Sequence, residues 1–262
     1  MTDTVRAPAV AGMFYPASSS ELGSLVDRLL AAVSPPKQTA CPKALIVPHA
    51  GYVYSGPIAA SAFARIAPFG KQIERVVLVG PAHRVFVDGL ASPGATRLRT
   101  PLGELEVDGD ALASVGVAPN VAAHAREHSL EVELPFLQRV APNAKIVPIA
   151  TSRAKPETIG KALDALWGGP ETLIVISSDL SHYLPYAEGR KLDEQTCARI
   201  VALDTTIAGD QACGCTGING LLWLARQKQL RVELVDLRSS GDTAGTRDEV
   251  VGYAAFALYE AA

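Results

Sequence analysis

The sequence predicts one α/β domain over residues 1–262, with a mostly parallel central sheet flanked by helices. Two observations carry this. Short aliphatic runs of strand length alternate with longer amphipathic stretches. No internal repeat and no linker-like segment divides the chain.

In chain order, residues 1 to 18 read as an extended arm turning at Pro16. Glu21 to Val33 has helical spacing in Leu22, Leu25, Val26, Leu29 and Leu30, and the serines before it supply an N-cap. Ser34 to Lys43 is a loop. Ala44 to Val47 is a buried strand, which Pro48 stops because proline has no N–H to donate. His49 follows, with Gly51, Tyr52 and Tyr54 in the turn behind it. A small-residue helix then runs from Ile58 to Ala67, with Pro57 in its first turn. Arg75 to Val79 repeats the pattern, since a buried strand leads through Pro81 to His83.

Asp88 to Pro93 and Gly103 to Gly109 read as short strands with turns, and Asp108 begins a short helix. A helix is expected from Ser129, despite Pro135. Lys145 to Thr151 is a third buried strand, followed by a helix from Lys155 to Trp167. Thr172 to Ile176 is a fourth strand, ending in Ser177-Ser178-Asp179-Leu180-Ser181-His182. A long helix is expected from Tyr186 to Leu203. The stretch Ala212 to Gly220 reads as a glycine-rich loop that leads into a helix at Leu221. Arg231 to Leu237 is a strand that runs into Asp242, and Val250 to Glu260 is a final strand.

Composition bounds the function. Of 262 residues 48% are hydrophobic and 19% charged, so a large core is available. The formal net charge is −3, with no basic block, which speaks against nucleic acid as the main partner. No apolar run approaches the roughly 20 residues that span a bilayer. The N-terminus lacks a basic-then-apolar signal pattern, so a cytoplasmic setting is expected. The four cysteines form no CxxC pair. Neither a P-loop nor a GxGxxG fingerprint is present.

Parallel strands point their carboxyl ends to one edge, where α/β sheets bind ligands. His49, His83, the pair Asp179 and His182, and Asp242 all follow strands. Two imidazoles and a carboxylate with open positions suit a divalent metal, iron(II) first, although copper and zinc also accept imidazole. A strand-end histidine can also do no more than cap a loop. His182 is either a general acid/base, with Asp179 orienting it or binding metal, or the first-turn residue of a helix capped by Asp179 and Ser181. His128 and Glu131, three apart, either line the pocket, stand behind a metal ligand, or form a solvated polar face. His124 reads as a surface histidine. Cys213 is either a reactive thiol at a helix start or a small buried residue.

Together AGMFYP, VPHAGYVYSG, GPAHR, EHSLEVELPF, SSDLSH, Cys213-Gly214, and SSGD followed by VVGYA resemble the Memo family, from Ala11 to Tyr253. That resemblance implies a fold like the class III extradiol ring-cleaving dioxygenases, which hold iron(II) and open catechol rings. It implies His49 and His83 as metal ligands, His182 as acid/base and Asp179 as a pocket aspartate. It also implies AMMECR1-like and radical SAM proteins as partners. Animal members take a cysteine as third ligand from the segment before the last strand. That segment has no cysteine here, so Asp242, beside Thr243, is expected to complete the set. Three functions are consistent with this reading: an iron-dependent oxidoreductase acting on an unidentified small molecule, a metal-binding protein without ring cleavage, or a phosphotyrosine-peptide module. Arg84 alone gives the last little support.

Overall fold

The backbone leaves the N-terminal arm through a short strand, β1 (Val5–Arg6), and turns at Gly12 into α1 (Ser19–Ala31). The Ser18 hydroxyl accepts from Glu21 N at 3.4 Å, so the predicted cap starts the helix two residues early. Next come β2 (Ala44–Val47) and α2 (Tyr52–Phe63). The chain continues through β3 (Arg75–Pro81), β4 (Ala91–Ser92), β5 (Arg97–Thr100) and β6 (Gly103–Glu106). Asp108 caps α3 (Gly109–Ser114) by accepting from Ala111 N. Then follow β7 (Ala118–Pro119), α4 (Val121–Ala125), a 3-10 turn at Glu131–Glu133 and α5 (Leu134–Val140). The second half holds β8 (Lys145–Thr151), α6 (Pro156–Ala165), β9 (Thr172–Ser177), β10 (His182–Leu184) and α7 (Tyr186–Val201). It closes with α8 (Cys215–Gln227), β11 (Arg231–Ser239), a 3-10 turn at Ser240–Asp242 and β12 (Val250–Tyr259). This computed structural model describes residues 3–34 and 40–260. Residues 35–39 of the expected loop and 1–2 of the arm lie outside the described residues.

The main sheet runs β10-β12-β2-β9-β3-β8-β4-β7, with β11 also paired to β12, and a small second sheet joins β1, β5 and β6. Strands β2, β9, β3 and β8 are parallel neighbours, and their residues are almost wholly buried. Side chains on both faces of such strands need cover, which explains the unbroken aliphatic runs. The expectation of a mostly parallel sheet does not hold, because the sheet is mixed. Strand β12 is antiparallel to β2, β10 and β11, and β4 is antiparallel to β8. Consecutive strands β11 and β12 are joined by a short connection, which permits an antiparallel pair; a parallel return needs a crossover of a dozen or more residues.

Two helix starts also differ from expectation. Helix α2 begins at Tyr52, whose N–H donates to Phe14 O, so Pro57 sits inside the helix. The stretch expected as a loop up to Gly220 is already helix from Cys215. Its glycines serve close packing. A Cβ on Gly217 would lie 3.1 Å from Ile176 of β9, and one on Gly220 only 2.2 Å from Ile159 of α6. Pro135 is accommodated because it falls in the first turn of α5. Among the described residues, no helix is long and apolar enough to cross a membrane.

Candidate metal centre

Strands β2, β9 and β3 lie side by side, so the residues after their carboxyl ends share one rim. Pro48 and Ala82 carry the chain to His49 and His83, on either side of the Ser177-Ser178-Asp179 stretch that ends β9. His128, between α4 and the Glu131–Glu133 turn, joins them. One ring nitrogen from each of His49, His83 and His128 lies within 4.8 Å of the other two. The His83 and His128 rings stack at 4.8 Å between centroids, and His49 meets them edge-on at 5.2 and 5.4 Å.

Neighbouring hydrogen bonds decide which nitrogen two of the rings offer. Ser177 Oγ lies 2.7 Å from His49 Nδ1 and 2.7 Å from Ser129 O. A carbonyl can only accept, so the hydroxyl proton goes to Ser129 and Ser177 accepts from His49 Nδ1–H. Nε2 of His49 is thereby left unprotonated, with Cys213 Sγ 3.4 Å away. Glu127 does the same for His83, whose Nδ1–H donates to Oε1 at 2.9 Å. The same carboxylate accepts from the backbone N–H groups of His83, His128 and Ser129. Such carboxylate–histidine pairs orient metal-ligating imidazoles. Burial works to raise the Glu127 pKa, but the His83 hydrogen bond and charge and the backbone donors outweigh it, holding the carboxyl well below its usual range. Burial, and then the charges of its two neighbours, hold the His49 pKa well below the ordinary value. Burial above all lowers that of His128 to about 4. Neutral imidazoles are the form that binds metal.

Behind Ser177 lies Glu133, fully buried, with Oε1 at 3.0 Å from Ser177 Oγ and Oε2 without a hydrogen-bond partner. Burial pushes its pKa well above the usual value. Asp179 is also buried. Its Oδ1 accepts from His49 N at 2.8 Å, its Oδ2 lies 4.0 Å from His49 Nε2, and burial raises its pKa to about 7. It therefore caps no helix. His182 opens β10 instead of a helix, pairing with Val251, and burial lowers its pKa. The preceding Ser181 N–H is tied to Asp193 of α7 at 3.0 Å. His182 and Cys213 line a cavity of about 400 Å³ with Leu184, Leu192, Gly209 and Asp210.

Other expected residues fall elsewhere. Asp242 is not brought to the cluster. Its Oδ2 accepts from Ser239 N and Oγ at 2.8 and 3.0 Å, and its Oδ1 accepts from Tyr186 OH at 2.7 Å, so it closes the Ser240–Asp242 turn. Glu131 faces the N-terminal arm, accepting from Arg6, Ala9 N, Val10 N and Tyr15 OH at 2.6 to 2.9 Å. Tyr52 is core, its hydroxyl donating to Val132 O, while Tyr54 is 38% exposed. His124 is buried and donates from Nε2 to Ala91 O at 2.9 Å, which corrects its reading as a surface histidine. Sequence reasoning missed Glu127, Ser177 and Glu133. The one available signal was Glu127 standing directly before His128.

Fold and site together define a single-domain α/β protein with a candidate three-histidine metal centre at the ends of its parallel strands. A family model described as Memo-like protein matches residues 6–257, and the chain belongs to this family. It is 38% identical to a "MEMO1 family protein" of Aquifex aeolicus, covering 95% of this chain and 97% of that protein. It is 37% identical to one from Archaeoglobus fulgidus (95% and 98% covered) and 35% identical to one from Pyrobaculum arsenaticum (97% and 99%).

Proposed function

We propose that this protein is a mononuclear metal enzyme, iron(II)-dependent and oxidoreductive, that acts on a small molecule in the cleft beside His182. The observation that carries the reading is the convergence of His49, His83 and His128 within 4.8 Å. The donor set fits: two rings have their Nδ1–H groups committed to Ser177 and Glu127, leaving Nε2 for an ion. Imidazole suits iron, copper and zinc alike. The preference for iron rests on the resemblance to the extradiol dioxygenases. Bound iron(II) would supply redox chemistry and open coordination positions.

The chain's own residues do the rest. Glu127 fixes the His83 ring, and Ser177 fixes that of His49. His182, kept neutral by burial, accepts a proton from a substrate group held against the cavity wall formed by Leu184 and Leu192. Asp179, with its raised pKa, carries a proton at near-neutral pH and is suited to give it back.

The test is metal analysis after anaerobic iron(II) reconstitution, followed by oxygen uptake with catechols and a broad small-molecule panel. Wild type and Asp242→Ala should hold metal; His49→Ala, His83→Ala and His128→Ala should lose it. Equal metal in all five would remove the site. Full loading without oxygen uptake would favour a metal-holding protein with no ring-cleaving activity.

A further inference from the structure

His182 stands at the start of a β-bulge. It pairs with Val251, and Leu184 pairs with Val250, so Tyr183 is the extra residue on β10. Bulges re-aim the side chains beside them. Tyr183 has φ +57°, a left-handed backbone that is costly for a bulky residue. Its side chain is 70% exposed, so packing does little to offset that cost. A strained residue persists where its surroundings over-determine it. Here the residues just before the bulge do so.

Leu180 N donates to Gly252 O and Gly252 N donates to Ser181 O, both at 2.8 Å, so β12 holds this backbone from one side. The Ser181 N–H is buried and is taken by a side chain from helix α7, donating to Asp193 Oδ1 at 3.0 Å. Asp193 is itself buried, and no step described above uses it. Its carboxylate fills the space that a side chain at position 252 would take. A Cβ added to Gly252 would overlap Asp193 Oδ2 and stand 2.6 Å from Oδ1. The glycine of β12 and the acid of α7 thus fit each other, directly behind the segment that carries His182.

We propose that Asp193 is a positioning residue: by taking the Ser181 N–H it holds the Tyr183 bulge in its left-handed form and aims the His182 imidazole into the cleft beside Leu184 and Leu192. The inference rests on the acid/base reading of His182 and adds what keeps that ring in place. Without the acceptor a buried N–H is left unpaired, and the segment regains a partner only by moving to water. The bulge then relaxes, and the His182 ring leaves the cleft with it.

The experiment is a histidine NMR titration of the metal-free full-length protein, with His182→Gln identifying the signal and circular dichroism checking folding. In wild type, burial keeps the His182 pKa below the ordinary value of 6.5. Asp193→Ala should move it up toward 6.5. Gly252→Ala, which drives a Cβ into the carboxylate, should do the same. Asp193→Asn keeps an acceptor oxygen in the same shape and should hold the wild-type value. A folded Asp193→Ala with an unchanged His182 pKa would overturn the proposal, whatever its loss of stability, and so would an equal rise in Asp193→Asn.

If neither alanine variant folds, the exposed Tyr183 decides. Tyr183→Val and Tyr183→Gly both remove the ring that meets His182 edge-on at 5.8 Å. Valine opposes a left-handed backbone and glycine accepts it. The valine variant should therefore raise the His182 pKa and the glycine variant should not; equal values would overturn the proposal. These readings need neither metal nor substrate, so they stand apart from a failure of the metal centre or of turnover, which metal analysis and oxygen uptake report.

Discussion

Glu127→Gln tests whether the cluster is held ready by its surroundings. Glu127 Oε1 receives three N–H groups: His83 Nδ1 at 2.9 Å, His128 N at 2.8 Å and Ser129 N at 3.0 Å. Oε2 receives a fourth, His83 N, at 2.5 Å. Glutamine has nearly the same shape but one acceptor oxygen. With that oxygen in the Oε1 place three bonds survive, and the new NH₂ confronts the His83 N–H. In the other orientation three donors lose their partner. At least one N–H is therefore left unpaired, at a cost of about 1–3 kcal/mol in stability. His83 also loses its anionic partner, which for an imidazole ligand weakens metal binding about 10- to 100-fold, or about 1.4–2.7 kcal/mol. Urea unfolding of the metal-free protein reads the first effect, and competition with a chelator of known affinity reads the second. Metal affinity within twofold of wild type would refute the idea that Glu127 prepares His83.

Three further outcomes are expected. Ser177→Ala removes the acceptor for His49 Nδ1–H and the partner of Glu133 Oε1; stability should fall by about 1–3 kcal/mol, and nitrogen NMR should show His49 leaving the Nδ1–H tautomer, an unchanged tautomer sinking the assignment. Gly220→Ala drives a Cβ to 2.2 Å from Ile159 and should cost about 1–3 kcal/mol by urea unfolding, whereas Gly109→Ala, with nothing within 4 Å, should be near neutral; similar losses would contradict the packing account. His124 has its pKa lowered by burial to about 4, so between pH 6.5 and 4 the unfolded chain takes up a proton that the folded protein refuses, and stability falls as pH falls. His124→Gln should flatten that decline of the metal-free protein by up to about 1.4 kcal/mol per pH unit, and parallel curves for the two proteins would exclude it.

The aliphatic runs of β2, β3, β8 and β9, their order along the chain, a serine cap before the first helix, a helix start at Asp108, and the placement of His49 and His83 after strands were all readable in advance. Each depends on residues within a few positions of one another, where backbone hydrogen bonding and side-chain periodicity act directly. The ligand partners were not readable that way. Asp242 was the expected third ligand, and His128 only a candidate for the pocket wall. Packing put His128 against His83 and turned Asp242 onto Ser239 and Tyr186. Ser177 and Glu127 matter because of atoms that are far away in sequence. The early start of α8 was hidden for a related reason. Glycine lowers helix propensity locally, but at Gly217 and Gly220 its missing side chain lets the helix approach β9 and α6, a gain that exists only once those surfaces meet. Local chemistry wrote the elements and their histidine tips, while long-range contact chose which side chains face one another.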